Sequence, residues 1–436
     1  MEGVRKKRSV VPLTLGALVV ALVVLAVGCR PAAAPKPPPT PTPAPPVAAP
    51  APERTLKIGG MWAMTGLLQG FGINSSAVAR YALDRINAEG GVRLRDGSRA
   101  KLDLVLYDEG CPNVEQGIAA ARKAAADPVL VVIGPTCSST AEPVFGILQK
   151  RLDDPTDTGL QLLFFTDTAI KAGLASISPW AFRNVPSEIK MYEELFKWLK
   201  ETTGYSTIAV GTEVDFAHSK STSDVAIKPG AQKAGFTIVA DEGWKLADTD
   251  FSAQVSKMRA ANPDVVALSS HPFTTCGFLK EASRQGFRPK VVILLTSSIT
   301  EETVRGCARE LEGAIGPTSF APINKLAREV SLTVADRYRG FVDLHSAPVY
   351  ENLMLLRRLI EEAGVEGRPD TVLQDRRRLR DALAQVKEFD GLLGKIRFRT
   401  DEPREVDKPW VVVEFSGGRF RPKYIPPEYR AAIVVD

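Results

Sequence analysis

Histidine is scarce in this chain. Three residues, His218, His271 and His345, stand among 436, beside five cysteines. No spacing among them supplies the three or four clustered ligands that a zinc site needs. There is no Gly-x-Ser-x-Gly elbow and no Walker-type phosphate loop, and after the first apolar run Gly66, Gly70 and Gly72 are too irregular for a Gly-x-Gly-x-x-Gly turn. Enzymatic readings are left without a nucleophile, base or phosphate cradle to build on, and no catalytic residue, cofactor or metal is assigned. Charge is equally uninformative about partners. The formal net charge is +5, of which Arg5, Lys6, Lys7 and Arg8 against Glu2 contribute +3, so the remainder offers no basic surface to argue for nucleic acid.

What is present begins with a targeting pattern. The basic cluster Arg5 to Arg8 precedes an apolar run from Val10 to Val27 and then Ala26-Val27-Gly28-Cys29, where small residues abut a lone cysteine. This resembles a bacterial lipobox, with residues 1–28 as a lipoprotein signal peptide and Cys29 as the lipidated residue. An uncleaved signal anchor is the competing reading, since the run is about long enough to cross a bilayer. Both place the folded part at the extracytoplasmic face of the bacterial cell membrane. Residues 29–54 follow as a Pro/Ala-rich tether whose prolines remove backbone donors and favour an extended stalk.

With Cys29 assigned to lipid, four cysteines remain, an even number suited to two disulfides in an oxidising compartment. Cys111 and Cys137 each fall just after an expected strand, and the same logic pairs Cys276 with Cys307; four small buried thiols are the alternative. From Thr55 the chain alternates strand and helix. Expected strands at 56–61, 101–107, 129–133 and 162–166 alternate with helices at 75–88, 114–126 and 141–151. A second series runs through helix 189–201, strand 207–211, helix 222–234, strand 237–241, helix 251–260, strand 265–269, helix 274–285 and strand 290–295. This predicts an α/β protein of two doubly wound parallel-sheet lobes with a cleft between their carboxyl edges. Cys137-Ser138-Ser139-Thr140, after the apolar run 129–133 and Gly134-Pro135, puts hydroxyls and free backbone N–H groups at such an edge.

Several motifs in order now carry a resemblance. They are Lys57-Ile58-Gly59 with Thr65-Gly66; Ala88-Glu89-Gly90-Gly91; Tyr107-Asp108 with Cys111; Ile133-Gly134-Pro135 with Ser138-Ser139-Thr140; Asp250-Phe251-Ser252; Ala261-Asn262-Pro263-Asp264; and Phe389-Asp390-Gly391-Leu392. Over about residues 55 to 420 the chain resembles the type I periplasmic substrate-binding proteins of branched-chain amino acid ABC transporters. The resemblance implies two lobes joined by a three-strand hinge, with lobe 1 at 55–184 plus 318–405 and lobe 2 at 185–317 plus 406–436. It matches the Cys111–Cys137 spacing to a disulfide typical of leucine-binding members. It also implies a monomeric receptor that captures a small polar or carboxylate ligand and delivers it to permease and ATPase subunits. A ligand-sensing module coupled to a membrane signalling protein is the alternative.

The resemblance assigns ligand contacts position by position. Ser138, Ser139 and the strand end at Thr168 are expected to hold the ligand's polar head; Phe71 and Trp62 form a first-lobe apolar wall; Phe216 and His271 close from the second lobe. Two departures stand out. Ile170 replaces a threonine that receives an ammonium, and Ser298 replaces the acidic residue that pairs with it, unless Asp167 or Asp215 supplies the charge. A ligand without an amino group is the other possibility. Each residue also has a plain structural reading. Ser138 to Thr140 could only cap a helix, Trp62, Phe71 and His271 could only pack, and the run Arg376-Arg377-Arg378 with Arg380 is expected to be a solvated helix face beside Asp375 and Asp381.

Overall fold

Alternating strands and helices build two sheets in the computed structural model, which describes residues 54–431 and 433. The signal segment, nearly all of the tether and Cys29 lie outside the described residues. None of the helices within them is long and apolar enough to cross a membrane.

The first sheet contains β1 (Arg54–Trp62), β2 (Val92–Arg93), β3 (Arg99–Asp108), β4 (Val129–Ile133), β5 (Leu163–Thr166) and β6 (Ala181–Arg183), in the order β2-β3-β1-β4-β5-β6. All neighbours are parallel except the edge pair β2 and β3. Val129-Leu130-Val131-Val132-Ile133 is buried throughout, as a central strand covered by helices on both faces must be. The helices are α1 (Gln69–Ala88), α2 (Val114–Ala126), begun by Asn113 accepting from the Gln116 N–H, and α3 (Ser138–Gly146).

The second sheet repeats the pattern with β7 (Thr207–Glu213), β8 (Thr237–Trp244), β9 (Val265–Ser269), β10 (Val291–Leu294) and β11 (Ile315–Thr318), parallel in the order β11-β10-β9-β7-β8. Its helices are α4 (Glu188–Thr203), α5 (Ala217–Thr222), α6 (Lys228–Lys233), α7 (Ser252–Ala261), α8 (Pro272–Arg284) and α9 (Glu301–Cys307). The chain then returns to the first core through α10 (Lys325–Tyr338), α11 (Ala347–Glu362) and α12 (Val372–Ala384). A small antiparallel sheet follows, of β12 (Glu388–Asp390), β13 (Lys395–Phe398) and β14 (Val406–Asp407). A last crossing adds β15 (Val411–Ser416) and β16 (Arg419–Tyr424), antiparallel, at the β11 edge. Two separate hydrophobic cores result, one per sheet, which makes this a two-lobed type I binding-protein fold joined by a hinge region. Two of the chain crossings meet at a buried ion pair. Lys408 Nζ lies 2.7 Å from Glu351 Oε2, and the Asn184 amide donates to the same oxygen and to Asn352.

Several elements differ from expectation. Helix α1 starts at Gln69 rather than Ser75, because Gly72 lets its first turn press on the end of β1; a Cβ there would stand 2.1 Å from the Ala63 carbonyl oxygen. Helix α3 starts at Ser138 and stops at Gly146, and the expected helix 222–234 is α5 and α6 joined by a π-turn over Ser223–Ile227. The antiparallel strands were not foreseen. The arginine run is not a solvated face. Arg376 is buried, donating to the carbonyls of Ala124, Ala125, Asp127 and Val129, and Arg380 is buried over the Trp180 ring at 4.9 Å; only Arg377 is exposed.

Candidate functional site

In the first sheet the strand order reverses between β1 and β4, and in the second between β7 and β9. At such a point neighbouring loops diverge to opposite faces and leave a crevice at the strands' carboxyl ends. Here the two crevices face each other across one small cavity, lined by the chain after β1, β4, β5, β7, β9 and β10 and by the loop before α11.

On the first lobe the turn after β4 is tightly determined. Gly134 has φ 117°, and a Cβ on it would lie 2.0 Å from the Met61 carbonyl oxygen, so only glycine lets β4 turn against β1. The Thr136 hydroxyl accepts from the Ala63 N–H at 3.0 Å, and the Cys137 N–H donates to Glu109 Oε1 at 3.0 Å. Cys137 is disulfide-bonded to Cys111, with Cα atoms 6.0 Å apart. These ties fix where α3 begins. The first-turn N–H groups of Ser138 and Ser139 have no intrahelical acceptor, and the helix dipole favours negative charge before them. Ser138 is 1 % exposed and its Oγ accepts from the Lys171 N–H at 3.1 Å, which leaves its own proton free to donate.

On the second lobe buried carboxylates orient two imidazoles. Glu213, at the end of β7, accepts from the His271 backbone N–H at 2.9 Å, from His271 Nδ1 at 2.5 Å and from the Thr274 hydroxyl. Glu188, at the start of α4, accepts from His218 Nε2 at 2.9 Å and from the hydroxyls of Thr222 and Thr296. Burial alone would raise both carboxyls. The facing imidazoles and these hydrogen bonds outweigh it and hold each below the usual carboxylate range. The rings of His218 and His271 are 5.6 Å apart, and Phe216 meets His271 edge-on at 4.5 Å.

Of the residues expected to hold ligand, Phe71, Ser138, Thr168, Phe216 and His271 line the cavity; Trp62, Ser139 and Ser298 do not. Phe71 reaches it from the first turn of α1, not from a loop. Trp62 is fully buried behind the wall, its indole N–H donating to Asp167 at 3.1 Å. Ser298 turns back to donate to the Ser270 carbonyl at 2.6 Å, and Ser297, one residue earlier, takes its place on the wall. Neither candidate acid reaches the cavity. Asp167 accepts from Trp62, Ser75 and Thr168, and its carboxyl is pushed up to about 7 by burial against those donors; Asp215 is exposed and accepts from the Leu246 N–H. The cavity therefore has no carboxylate on its wall.

Two further wall residues, His218 and His345, escaped sequence reasoning. All three histidines of the chain converge here. His345 sits in the loop before α11, is 2 % exposed, and has no hydrogen-bond partner on either ring nitrogen; Phe71 meets its face edge-on at 5.0 Å. Burial first, and then the nearby His218 and His271, hold its pKa well below that of a free imidazole, so the ring is neutral. Their scarcity was the one available signal, since nothing local links positions 218, 271 and 345. The three do not come together at the spacing of one ion's ligands. Among the described residues the group at ligating spacing is Glu109 with Cys111 and Cys137, whose sulfurs are bonded to each other and offer no thiolate.

The cavity holds about 20 Å³, room for a single water. The lobes are closed over it, joined by an apolar cluster of Leu68 and Phe71 from one side with Phe216 and Leu246 from the other. Anything larger enters only when they part.

Comparison with known proteins is consistent across sequence and fold. A family model described as periplasmic binding protein matches residues 55–419. The chain is 26 % identical over 325 residues to the leucine-, isoleucine-, valine-, threonine-, and alanine-binding protein of Pseudomonas aeruginosa, covering 73 % of this chain and 81 % of that one. In fold it is similar to the leucine-binding protein LivK of Thermotoga maritima, with TM-score 0.72 and 19 % identity over 86 % of this chain and 99 % of that one. It is also similar to a solute-binding protein of R. palustris in complex with 4-hydroxybenzoate, with TM-score 0.69 and 20 % identity over 85 % and 96 %.

Proposed function

Because the chain belongs to the periplasmic binding protein family, a family of binders rather than catalysts, we propose that it is the substrate-binding protein of an ABC importer, anchored outside the cytoplasm through Cys29. In this reading the lobes part to take a small carboxylate at the interlobe cavity, close around it less tightly than here, and present the loaded form to a permease driven by separate ATPase subunits. The lobes in this reading are 55–184 with 318–405 and 185–317 with 406–436; the two separate cores support a division of this kind, with Val185 and Val406 packing on the first core and Ala321, Ile323 and Leu393 on the second.

One observation carries the reading. Two topological switch points face a single closed cavity, and a helix N-terminus with unpaired N–H groups, held by a disulfide, opens onto it. A carboxylate would accept from the Ser138 N–H at the start of α3 and from the Ser138 hydroxyl, while Thr168 and Phe71 border the same lobe's wall and Phe216 with His271 closes from the other lobe. Binding to one lobe followed by closure would give the permease a surface that the open form lacks. The relatives' branched-chain amino acids and hydroxybenzoate are both carboxylates, which agrees with this head group.

The test is calorimetry and thermal unfolding against branched-chain amino acids, aliphatic and aromatic carboxylates, short amides and urea. A carboxylate at a hundred times its dissociation constant should add about 2.7 kcal/mol of stability. Stabilisation by uncharged amides alone, or by nothing in the panel, would overturn the carboxylate assignment.

A further inference from the structure

Resting on the carboxylate reading above, we propose that the ligand is a hydroxy-carboxylate: a carboxylate whose second polar group is a hydroxyl, seated among His218, His271 and His345, and not the ammonium of an amino acid.

The argument starts from His345. A neutral imidazole has one N–H donor and one lone-pair acceptor, and both are buried here without partners on the wall of the binding cavity. Unpaired buried polar atoms at a closed binding site mark where a ligand's own polar atoms belong. A hydroxyl both donates and accepts, so it can pair with either nitrogen, or bridge from His345 to a second imidazole.

The other two rings extend the same chemistry. A carboxylate can only accept, so the nitrogen facing it carries the proton: Nε2 in His218 and Nδ1 in His271. The opposite nitrogens are thereby directed away from Glu188 and Glu213. His218 Nδ1 is 3.3 Å from the Ser297 hydroxyl, and His271 Nε2 has no partner among the described residues. The wall thus offers three oriented imidazoles and a serine hydroxyl, all able to exchange hydrogen bonds with a hydroxyl.

An ammonium fits poorly in the same place. It brings donors and a positive charge, and no carboxylate lines the cavity to balance it. Glu188 and Glu213 are engaged by the histidines, and Asp167 by Trp62, Ser75 and Thr168. Ile170, expected where a threonine would receive the ammonium, has no hydroxyl and does not line the cavity.

The experiment is calorimetry on the intact protein with two matched series, each differing in one group. The first is 4-methylpentanoate, its 2-hydroxy derivative and L-leucine; the second is 4-methylbenzoate, 4-(hydroxymethyl)benzoate and 4-(aminomethyl)benzoate, whose benzylic amine is an ammonium at neutral pH. The proposal expects the hydroxy member of at least one series to bind about tenfold or more tighter than both its companions. It also expects His345→Phe, which keeps a flat ring and removes both nitrogens, to reduce that preference, read as the ratio of the hydroxy acid's affinity to the unsubstituted acid's in the same variant, to less than about threefold. A companion that comes within about tenfold of the hydroxy acid in both series overturns it, as does a preference that survives His345→Phe. Should that variant fail to fold, the two series on the unaltered protein still decide the matter. Failure of every carboxylate to bind sinks the carboxylate reading itself, a different result from carboxylates that bind without regard to the hydroxyl.

Discussion

At the scale of single residues, the chain repeatedly buries polar groups and varies how it satisfies them. Arg376 is the complete case. Its guanidinium donates to four carbonyls around the end of α2 and the turn into β4, where helix geometry leaves acceptors unpaired. Burial pulls its pKa down to about 10, so it stays charged at neutral pH. Arg376→Ala strands those carbonyls and should cost about 3 kcal/mol in urea unfolding, whereas Arg377→Ala, on the exposed side of the same helix, should stay within about 0.5 kcal/mol. Equal effects would mean that the carbonyl contacts contribute nothing. His345 is the incomplete case. Its folded pKa lies well below the value of about 6.5 expected in the unfolded chain. As pH falls through 6.5 the unfolded chain takes up a proton that the folded protein refuses, so stability is lost toward acid at up to about 1.4 kcal/mol per pH unit. His345→Phe lacks this loss. Urea unfolding at pH 7.5 and pH 5.5 should therefore move the difference between the two proteins in favour of the variant at the lower pH, and a difference independent of pH would mean that His345 titrates normally.

At the scale of elements, the two disulfides close chain segments of similar length, with sequence separations of 26 and 31, and do different jobs. Loop-closure entropy gives each about 3.5 kcal/mol. Cys276–Cys307 joins α8 to α9, away from the cavity wall formed by α3. Cys111–Cys137 joins the chain after β3 to the residue that starts α3, so it also positions the N–H group assigned to the carboxylate. Replacing both cysteines of either pair by serine should lower the melting temperature comparably, but only the Cys111 and Cys137 replacements should also weaken carboxylate binding, by about tenfold. Equal affinities in the two double variants would deny the first disulfide any role beyond stability. Elements of this kind were largely legible in the sequence. Runs such as Val129 to Ile133 and Val265 to Ser269, apolar and β-branched, occupy the strands they predict, and α2 keeps its expected bounds. Errors fall where tertiary contact overrides local signals: Gly70 and Gly72 read as loop until the end of β1 is seen against α1, and Arg376 reads as surface until α12 is laid across α2. At the site, the strand-end motif marked Ser138 and the resemblance added Thr168, Phe216 and His271, all four of which line the cavity. The site was not legible at His345, whose place depends on the return of the chain 127 residues after His218, nor in the one-residue choice between Ser297 and Ser298, which a short 3₁₀ turn decides.

For the molecule as a whole, function depends on the free energy of closing. The closed cavity is too small to admit a ligand from outside, so binding begins in an open form and its affinity includes whatever the lobes gain on meeting. Leu246 isolates that gain. It is buried in the cluster with Leu68, Phe71 and Phe216, across the lobe boundary, yet it does not line the cavity. In the open form its side chain returns to water, so burying it on closure contributes about 1.5–3 kcal/mol. Leu246→Ala removes most of this contribution without touching the ligand. Affinity should fall by about tenfold, and the loss should lie in faster dissociation, because the open form that meets the ligand is unaltered. Small-angle scattering should show the same compaction at saturating ligand, reached at a higher ligand concentration. If the variant instead binds as tightly as the parent, closure is driven by ligand contacts alone, and the apolar cluster between the lobes contributes nothing to capture.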